Sequence, residues 1–305
     1  MNNAVIKTEN LTKEYDGFVA VRNLNMEVYR GEVFGLLGPN GAGKTTTILM
    51  LLGLVPPTSG NAWIDGYSIG RAPMKVRSRV SLVPENLGLY DELTARQNLY
   101  FTAELNGITG IEKKKRVEEL LRKVGLKEWG DVKVGKFSKG MKQRLGMADA
   151  LIKKPKVLML DEPTAGIDPE GVEQILTMIS SLSRDEGVTI LLSSHLLHQV
   201  QRVCDRVGIM SKGELVAVGS IESLAKGEYT VEAEFDRLDS RFIDNLSTIE
   251  GVSEILRKKN RVFIKAEKDV RREISALASE GGYLILEIRL KAPSLDELYM
   301  KYFGG

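Results

Sequence analysis

Apolar and polar positions change rhythm several times along this chain. Three apolar runs with few polar interruptions stand out in the first 225 residues: Val33-Phe34-Gly35-Leu36-Leu37, Val157-Leu158-Met159-Leu160 and Val188-Thr189-Ile190-Leu191-Leu192. A run with almost no polar face belongs to a strand covered on both sides, as in the middle of a parallel sheet. Residues 44–54 read as a buried helix. Between the first two runs the period lengthens to that of helices. Thr94 and Gln97 form a capping box ahead of Leu99 and Ala103, with Gly107 as the stop. Val117, Leu120, Leu121 and Val124 share one helical face, which Gly125 ends. A further helix is predicted from about residue 139 to 152, with Ser138 as N-cap and Pro155 just beyond it. Strands alternating with helices place residues 1–225 in the α/β class, with a helical insert at about residues 88–155.

After Lys226-Gly227 the pattern changes. Val231, Ala233 and Phe235 alternate with Thr230, Glu232 and Glu234, the mark of a half-buried strand. A helix follows with Phe242, Leu246 and Ile249, then strands at residues 252–256 and 262–266, joined by a turn at Lys258-Lys259-Asn260. A second helix carries Val270, Ile274 and Leu277, stops at Gly281-Gly282 and leads into a strand at residues 283–290. Ser294 and Glu297 are read as capping a last helix through Leu298. The order β-α-β-β-α-β predicts a small α+β, ferredoxin-like domain over residues 228–305. No internal repeat is evident.

Composition narrows the class. The chain has 305 residues, 43% hydrophobic and 28% charged, which suits one large globular domain and a small one. A net charge of +2 gives no reason to expect a nucleic-acid partner. The one cysteine, Cys204, excludes an intrachain disulfide and reads as a small core residue. The longest apolar stretch, at residues 47–55, is about nine residues, and a spanning helix needs roughly 20. The polar, alternating N-terminus is unlike a secretory signal. Lys113-Lys114-Lys115-Arg116 reads as a solvated helical face, with anionic lipid contact as the lesser option.

Against this background four segments carry chemistry. Gly38-Pro39-Asn40-Gly41-Ala42-Gly43-Lys44-Thr45 satisfies G-x-x-x-x-G-K-[ST], after a predicted strand and before a predicted helix. Its glycines let backbone N–H groups approach phosphate oxygens, and the helix start adds its positive end. Lys44 is placed for the β- and γ-phosphates and Thr45 for Mg²⁺. A glycine-rich turn that binds nothing is the bland alternative. Asp161 and Glu162 end an apolar strand, a costly place for two carboxylates unless they meet a cation or a reaction. Asp161 suits the Mg²⁺ shell and Glu162 the polarising of a water, although an acidic start to a helix before Pro163 reads the same way. Ser138-Lys139-Gly140-Met141 opens a capped helix, which alone is an ordinary surface helix. His195 follows the third apolar run, where α/β sheets gather ligands, yet a lone histidine there is more often structural.

Together, in this order, these segments resemble the nucleotide-binding domain of ABC transporter ATPases, a P-loop NTPase fold, over residues 1–225. The resemblance implies ATP contacts at Tyr15, stacked on adenine, at Gly38, Pro39, Asn40, Gly41, Ala42, Gly43, Lys44, Thr45 and Thr46, and at Glu85. It implies catalytic roles for Lys44, Glu162 and His195, and Mg²⁺ held at Thr45, Glu85 and Asp161. Ser138, Lys139 and Gly140 occupy the signature position, and Ala165-Gly166-Ile167-Asp168 the D-loop. In relatives these act on nucleotide held by a second subunit. Two motifs depart from the commonest pattern: the signature, with Lys139 and Met141 within Ser-Gly-Gly-Gln, and Glu85 where glutamine is usual. Both departures, with Pro293-Ser294-Leu295-Asp296-Glu297-Leu298 near the end, resemble the branch that exports drugs, lipids or sodium. The implied protein is an ATPase, a homodimer or heterodimer on the inner face of the cell membrane, driving a separate transmembrane permease. The rival is an ABC ATPase outside transport, in DNA repair, translation or assembly. A regulatory ATP-binding module and an unrelated phosphate-loop kinase fit the residues less well.

Overall fold

The computed structural model describes residues 4–224 and 229–291. They fall into two compact units, Met1–Ile221 and Glu222–Gly305. The first unit begins with a long hairpin, β1 (Ala4–Tyr15) and β2 (Phe18–Tyr29). It continues through β3 (Val33–Leu37), α1 (Lys44–Leu51), β4 (Ser59–Ile64), β5 (Tyr67–Ser68), α2 (Pro73–Arg77) and β6 (Val80–Val83). Three helices follow, α3 (Ala95–Leu105), α4 (Gly110–Lys123) and α5 (Lys139–Leu151). The chain then returns to strand and helix alternation with β7 (Val157–Asp161), α6 (Pro169–Arg184), β8 (Thr189–Ser194), α7 (Leu197–Val203), β9 (Arg206–Ser211), β10 (Glu214–Ser220) and α8 (Ile221–Leu224).

The predicted apolar runs become the centre of a six-stranded sheet ordered β10-β9-β3-β8-β7-β6. Its pairs are parallel apart from β10 on β9. Every residue of β3, β7 and β8 is buried, which explains their largely apolar sequences; polar Asp161, Ser193 and Ser194 fall at the carboxyl ends. A second sheet, β2-β1-β4-β5, is antiparallel. The alternating N-terminus supplies its longest strands. Ile6, Leu11, Leu24, Val28 and Ile64 from this sheet share one core with Phe34 and Met159 of the other and with Ile48, Met50 and Leu51 of α1. Each of those α1 side chains contributes about 1.5–3 kcal/mol by leaving water. That burial sustains a helix that its own sequence disfavours. Thr45, Thr46 and Thr47 are β-branched, and no side chain caps its start. The helix ends at Leu51, short of the predicted residue 54, because Gly53 turns left-handed at φ 64°.

Between β6 and β7 the capping box forms as predicted, with Thr94 and Gln97 exchanging bonds at the start of α3. Val117, Leu120 and Leu121 bury the inner face of α4. The second unit comprises β11 (Tyr229–Phe235), α9 (Ser240–Ser247), β12 (Val252–Lys258), β13 (Arg261–Ala266), α10 (Arg271–Gly281) and β14 (Ile285–Lys291). Its antiparallel sheet runs β12-β13-β11-β14, the ferredoxin-like order. Phe235 and Phe242 meet edge to face in its core. Lys258 stays in β12, so the turn narrows to Lys259-Asn260, with Lys259 at φ 55°. Tyr283 and Leu284 precede β14 because their N–H groups bond Ala278 and Asp236. The predicted capping of a last helix by Ser294 and Glu297 lies outside the described residues.

Candidate functional site

In the parallel sheet β8 lies between β3 and β7, so the carboxyl ends of all three open onto one place. The loop leaving β3 closes on α1 under tight steric control. Gly43 sits at φ 100°, and a Cβ there would meet the Ala20 carbonyl at 2.5 Å. A Cβ on Gly38 would lie 2.4 Å from the carbonyl oxygen of Met210. Only glycine meets both demands. Without a side-chain cap, the first N–H groups of α1 remain available to an anion.

Lys44 is 6% exposed. Its ammonium donates to the carbonyls of Gly38 at 2.7 Å and Pro39 at 3.1 Å. It also lies 3.3 Å from Glu162 Oε1. Asp161, at the end of β7, accepts from the Thr45 hydroxyl at 3.1 Å and from Ser193 Oγ at 2.5 Å. Glu162 takes a left-handed backbone at φ 47°, and its Oε2 is 2.9 Å from His195 Nδ1. A carboxylate facing Nδ1 favours the proton on that nitrogen, which leaves Nε2 as the acceptor of the neutral ring. Thr164 Oγ1 and Gln199 form a buried hydrogen bond that ties the segment after Glu162 to α7. Lys44, Thr45, Asp161, Glu162 and His195 thus come together from distant parts of the chain.

A cavity of about 230 Å³ opens beside the loop, lined by Asn40, Gly41, Ala42, Gly43, Lys44, Thr45, Thr46, Glu85 and Glu162. Phe18 and Ala20 of β2 complete the lining. Tyr15, the residue assigned to the adenine ring, does not line it. Tyr15 pairs with Phe18 across the hairpin, is 42% exposed, and has the Lys13 ammonium 4.7 Å from its ring centre. The sequence reading missed Phe18, which is 66% exposed and carries no motif. It also missed Ser193, because a serine inside an apolar strand carries no motif.

The oxygens of Thr45 and Asp161 already converge, and Mg²⁺ is typically held by one or two carboxylates with phosphate oxygens and water. Among the described residues no three His, Cys, Asp or Glu side chains group as a metal site. These residues therefore fit an ion that arrives with phosphate rather than one held by protein alone.

Ser138 caps α5, its hydroxyl accepting from the Met141 N–H at 3.2 Å. Gly140 faces Ile167, where an added Cβ would lie at 3.4 Å from Cγ2. The Lys139 ammonium rests over Gly166. Asp168 caps α6 through the Gly171 N–H at 3.1 Å. Ser138, Lys139 and Asp168 are exposed at one tip built around the buried Gly140, and none of the four lines the cavity of their own chain. Among the described residues no helix is long and apolar enough to cross a membrane.

A sequence profile for the family described as ABC transporter matches residues 21–165. The linearmycin resistance ATP-binding protein LnrL of Bacillus subtilis is 35% identical, over 98% of this chain and 98% of its own. The bacitracin transport ATP-binding protein BcrA of Bacillus licheniformis is 36% identical, over 99% and 98%. Among solved structures, the dimeric ATP-binding cassette MJ0796 in a post-hydrolysis state bound to ADP and Pi matches with a TM-score of 0.65 at 26% identity. That match covers 70% of this chain and 98% of the cassette.

Proposed function

The chain belongs to the ABC transporter ATP-binding proteins, and we propose that it powers export through a separate transmembrane partner. It binds and hydrolyses ATP as the nucleotide-binding subunit of a transporter, and such subunits work in pairs beside membrane components. The observation that carries the ATP-hydrolysing reading of the site is the meeting of Lys44, Asp161, Glu162 and His195 at the ends of three neighbouring strands.

In this reading the loop N–H groups and Lys44 bind the triphosphate, and Thr45, Asp161 and Glu85 would hold Mg²⁺. When bound, Mg²⁺ would neutralise phosphate charge. Glu162 accepts a proton from the attacking water, and His195 orients the Glu162 carboxylate through Nδ1. Lys44 leaves Glu162 for the phosphates as nucleotide enters, which frees the carboxylate for the water. The tip formed by Ser138, Lys139, Gly140 and Asp168 meets the γ-phosphate held by a second cassette, identical or similar. Free energy for closing the pair comes from nucleotide that binds the closed state more tightly. Tyr15 and Phe18 both stand on the hairpin where a base would stack. The chain works at the inner face of the membrane, and residues 228–305 form an accessory domain.

Export is supported by the two antibiotic-linked relatives and by the departures at Lys139, Met141 and Glu85. The decisive experiment uses inside-out membrane vesicles from cells that make the chain with its partner. ATP-driven uptake of labelled bacitracin or linearmycin, lost in Lys44→Ala, is the expected result. ATP-driven uptake only in right-side-out vesicles overturns the direction.

A further inference from the structure

We propose that Ser193 is a positioning residue that aligns both acidic side chains of the ATP site at once. The inference rests on the roles given above to Asp161 and Glu162 and adds the group that sets their geometry. Ser193 is fully buried at the carboxyl end of β8, directly opposite Asp161 in the parallel register. A hydroxyl has one hydrogen to give and lone pairs to receive. Here the hydrogen goes to Asp161 Oδ1 at 2.5 Å, and the oxygen receives the Glu162 N–H at 3.0 Å.

Each bond does a separate job. The first fixes the rotation of the Asp161 carboxylate, whose Oδ1 also receives the Thr45 hydroxyl. Fixing that rotation sets where the carboxylate can meet a cation. The second satisfies the backbone of Glu162 in its left-handed conformation at φ 47°, which side-chain-bearing residues adopt only when their surroundings hold them. Two residues further on, His195 engages the Glu162 carboxylate. The end of β8 thus holds Glu162 at both its backbone and its side chain. On its other side the same strand receives the Gly38 N–H through the Ser194 carbonyl. Phosphate loop, cation-binding carboxylate and base are therefore indexed to a single strand end.

The test compares wild type, Ser193→Ala, Ser193→Thr, Asp161→Asn, Glu162→Gln and the double variant Ser193→Ala/Asp161→Asn, all as full chains. Three quantities are read: nucleotide affinity without Mg²⁺, the Mg²⁺ concentration that half-saturates nucleotide binding, and kcat at saturation. Ser193→Ala is expected to leave Mg²⁺-free affinity within about twofold. It should raise half-saturating Mg²⁺ and lower kcat by about 10–100-fold each, the range seen when a residue orienting a metal ligand is removed. Ser193→Thr, which keeps the hydroxyl, should recover most of both. In the Asp161→Asn background, Ser193→Ala should shift the Mg²⁺ midpoint no further, because the bond it breaks is already altered. A Ser193→Ala chain with wild-type Mg²⁺ midpoint and kcat overturns the inference, as does additivity in the double variant. If Asp161→Asn and Glu162→Gln also behave as wild type, the underlying site assignment fails instead.

Discussion

Replacing Glu162 with glutamine should separate binding from hydrolysis in opposite directions. In the structure the carboxylate occupies Lys44, 3.3 Å away, with both side chains almost fully buried. At an effective dielectric of about 20 that 3.3 Å contact has a gross attraction of about 5 kcal/mol. Desolvation of both groups offsets most of it and leaves roughly 1 kcal/mol net. An incoming triphosphate must displace this partner. Glutamine removes the competing charge, while Lys44 keeps the carbonyls of Gly38 and Pro39. Mg-ATP affinity should therefore stay level or rise up to about fivefold. Turnover should fall by about 10²–10⁴-fold with loss of the positioned base. Fluorescent nucleotide titration and phosphate release measure the two separately. Turnover within tenfold of wild type, or weakened binding, would refute the reasoning.

Other outcomes follow from the same geometry. Gly43→Ala places a Cβ 2.5 Å from the Ala20 carbonyl on a left-handed backbone. It should cost about 2–4 kcal/mol of stability together with ATP binding, so an unchanged melting temperature would contradict it. Ser138→Arg should abolish turnover while nucleotide affinity of the isolated chain stays within about twofold, because Ser138 does not line its own cavity. Burial opposes ionisation of Asp65, but hydrogen bonds and charge from Arg30 and Arg79 outweigh it and hold the carboxyl below its usual range. That contribution is present above the unfolded value near about 4 and is lost as pH falls through the folded value. Asp65→Asn should lower Tm at pH 7 by about 2–4 °C and flatten the acid limb of a Tm–pH curve.

The sequence disclosed those parts of the fold that local pattern controls. Strands buried on both faces are mostly apolar, so β3, β7 and β8 were legible, as was the α3 start where Thr94 and Gln97 exchange bonds. The second unit was legible because its strands alternate and its turns are marked by Asn260 and by Gly281-Gly282. The antiparallel sheet was not. It joins β1 to β4 from far along the chain, as in Ile6 opposite Ile64, and nothing local specifies such a pairing. Around the cavity, the glycine loop announced itself because close backbone approach demands glycine. Phe18 and Ser193 did not, since an exposed aromatic and a buried hydroxyl gain meaning only from their neighbours in space.

The claim on which the rest depends is that two chains close on nucleotide, with the tip of one completing the cavity of the other. Light scattering of the Glu162→Gln chain with and without Mg-ATP tests it most directly. The account predicts a doubling of mass on adding Mg-ATP, reversed by chelating the metal and absent in Ser138→Arg/Glu162→Gln. A nucleotide-saturated Glu162→Gln chain of single mass, together with a turnover of the unmutated chain that does not depend on protein concentration, would contradict it.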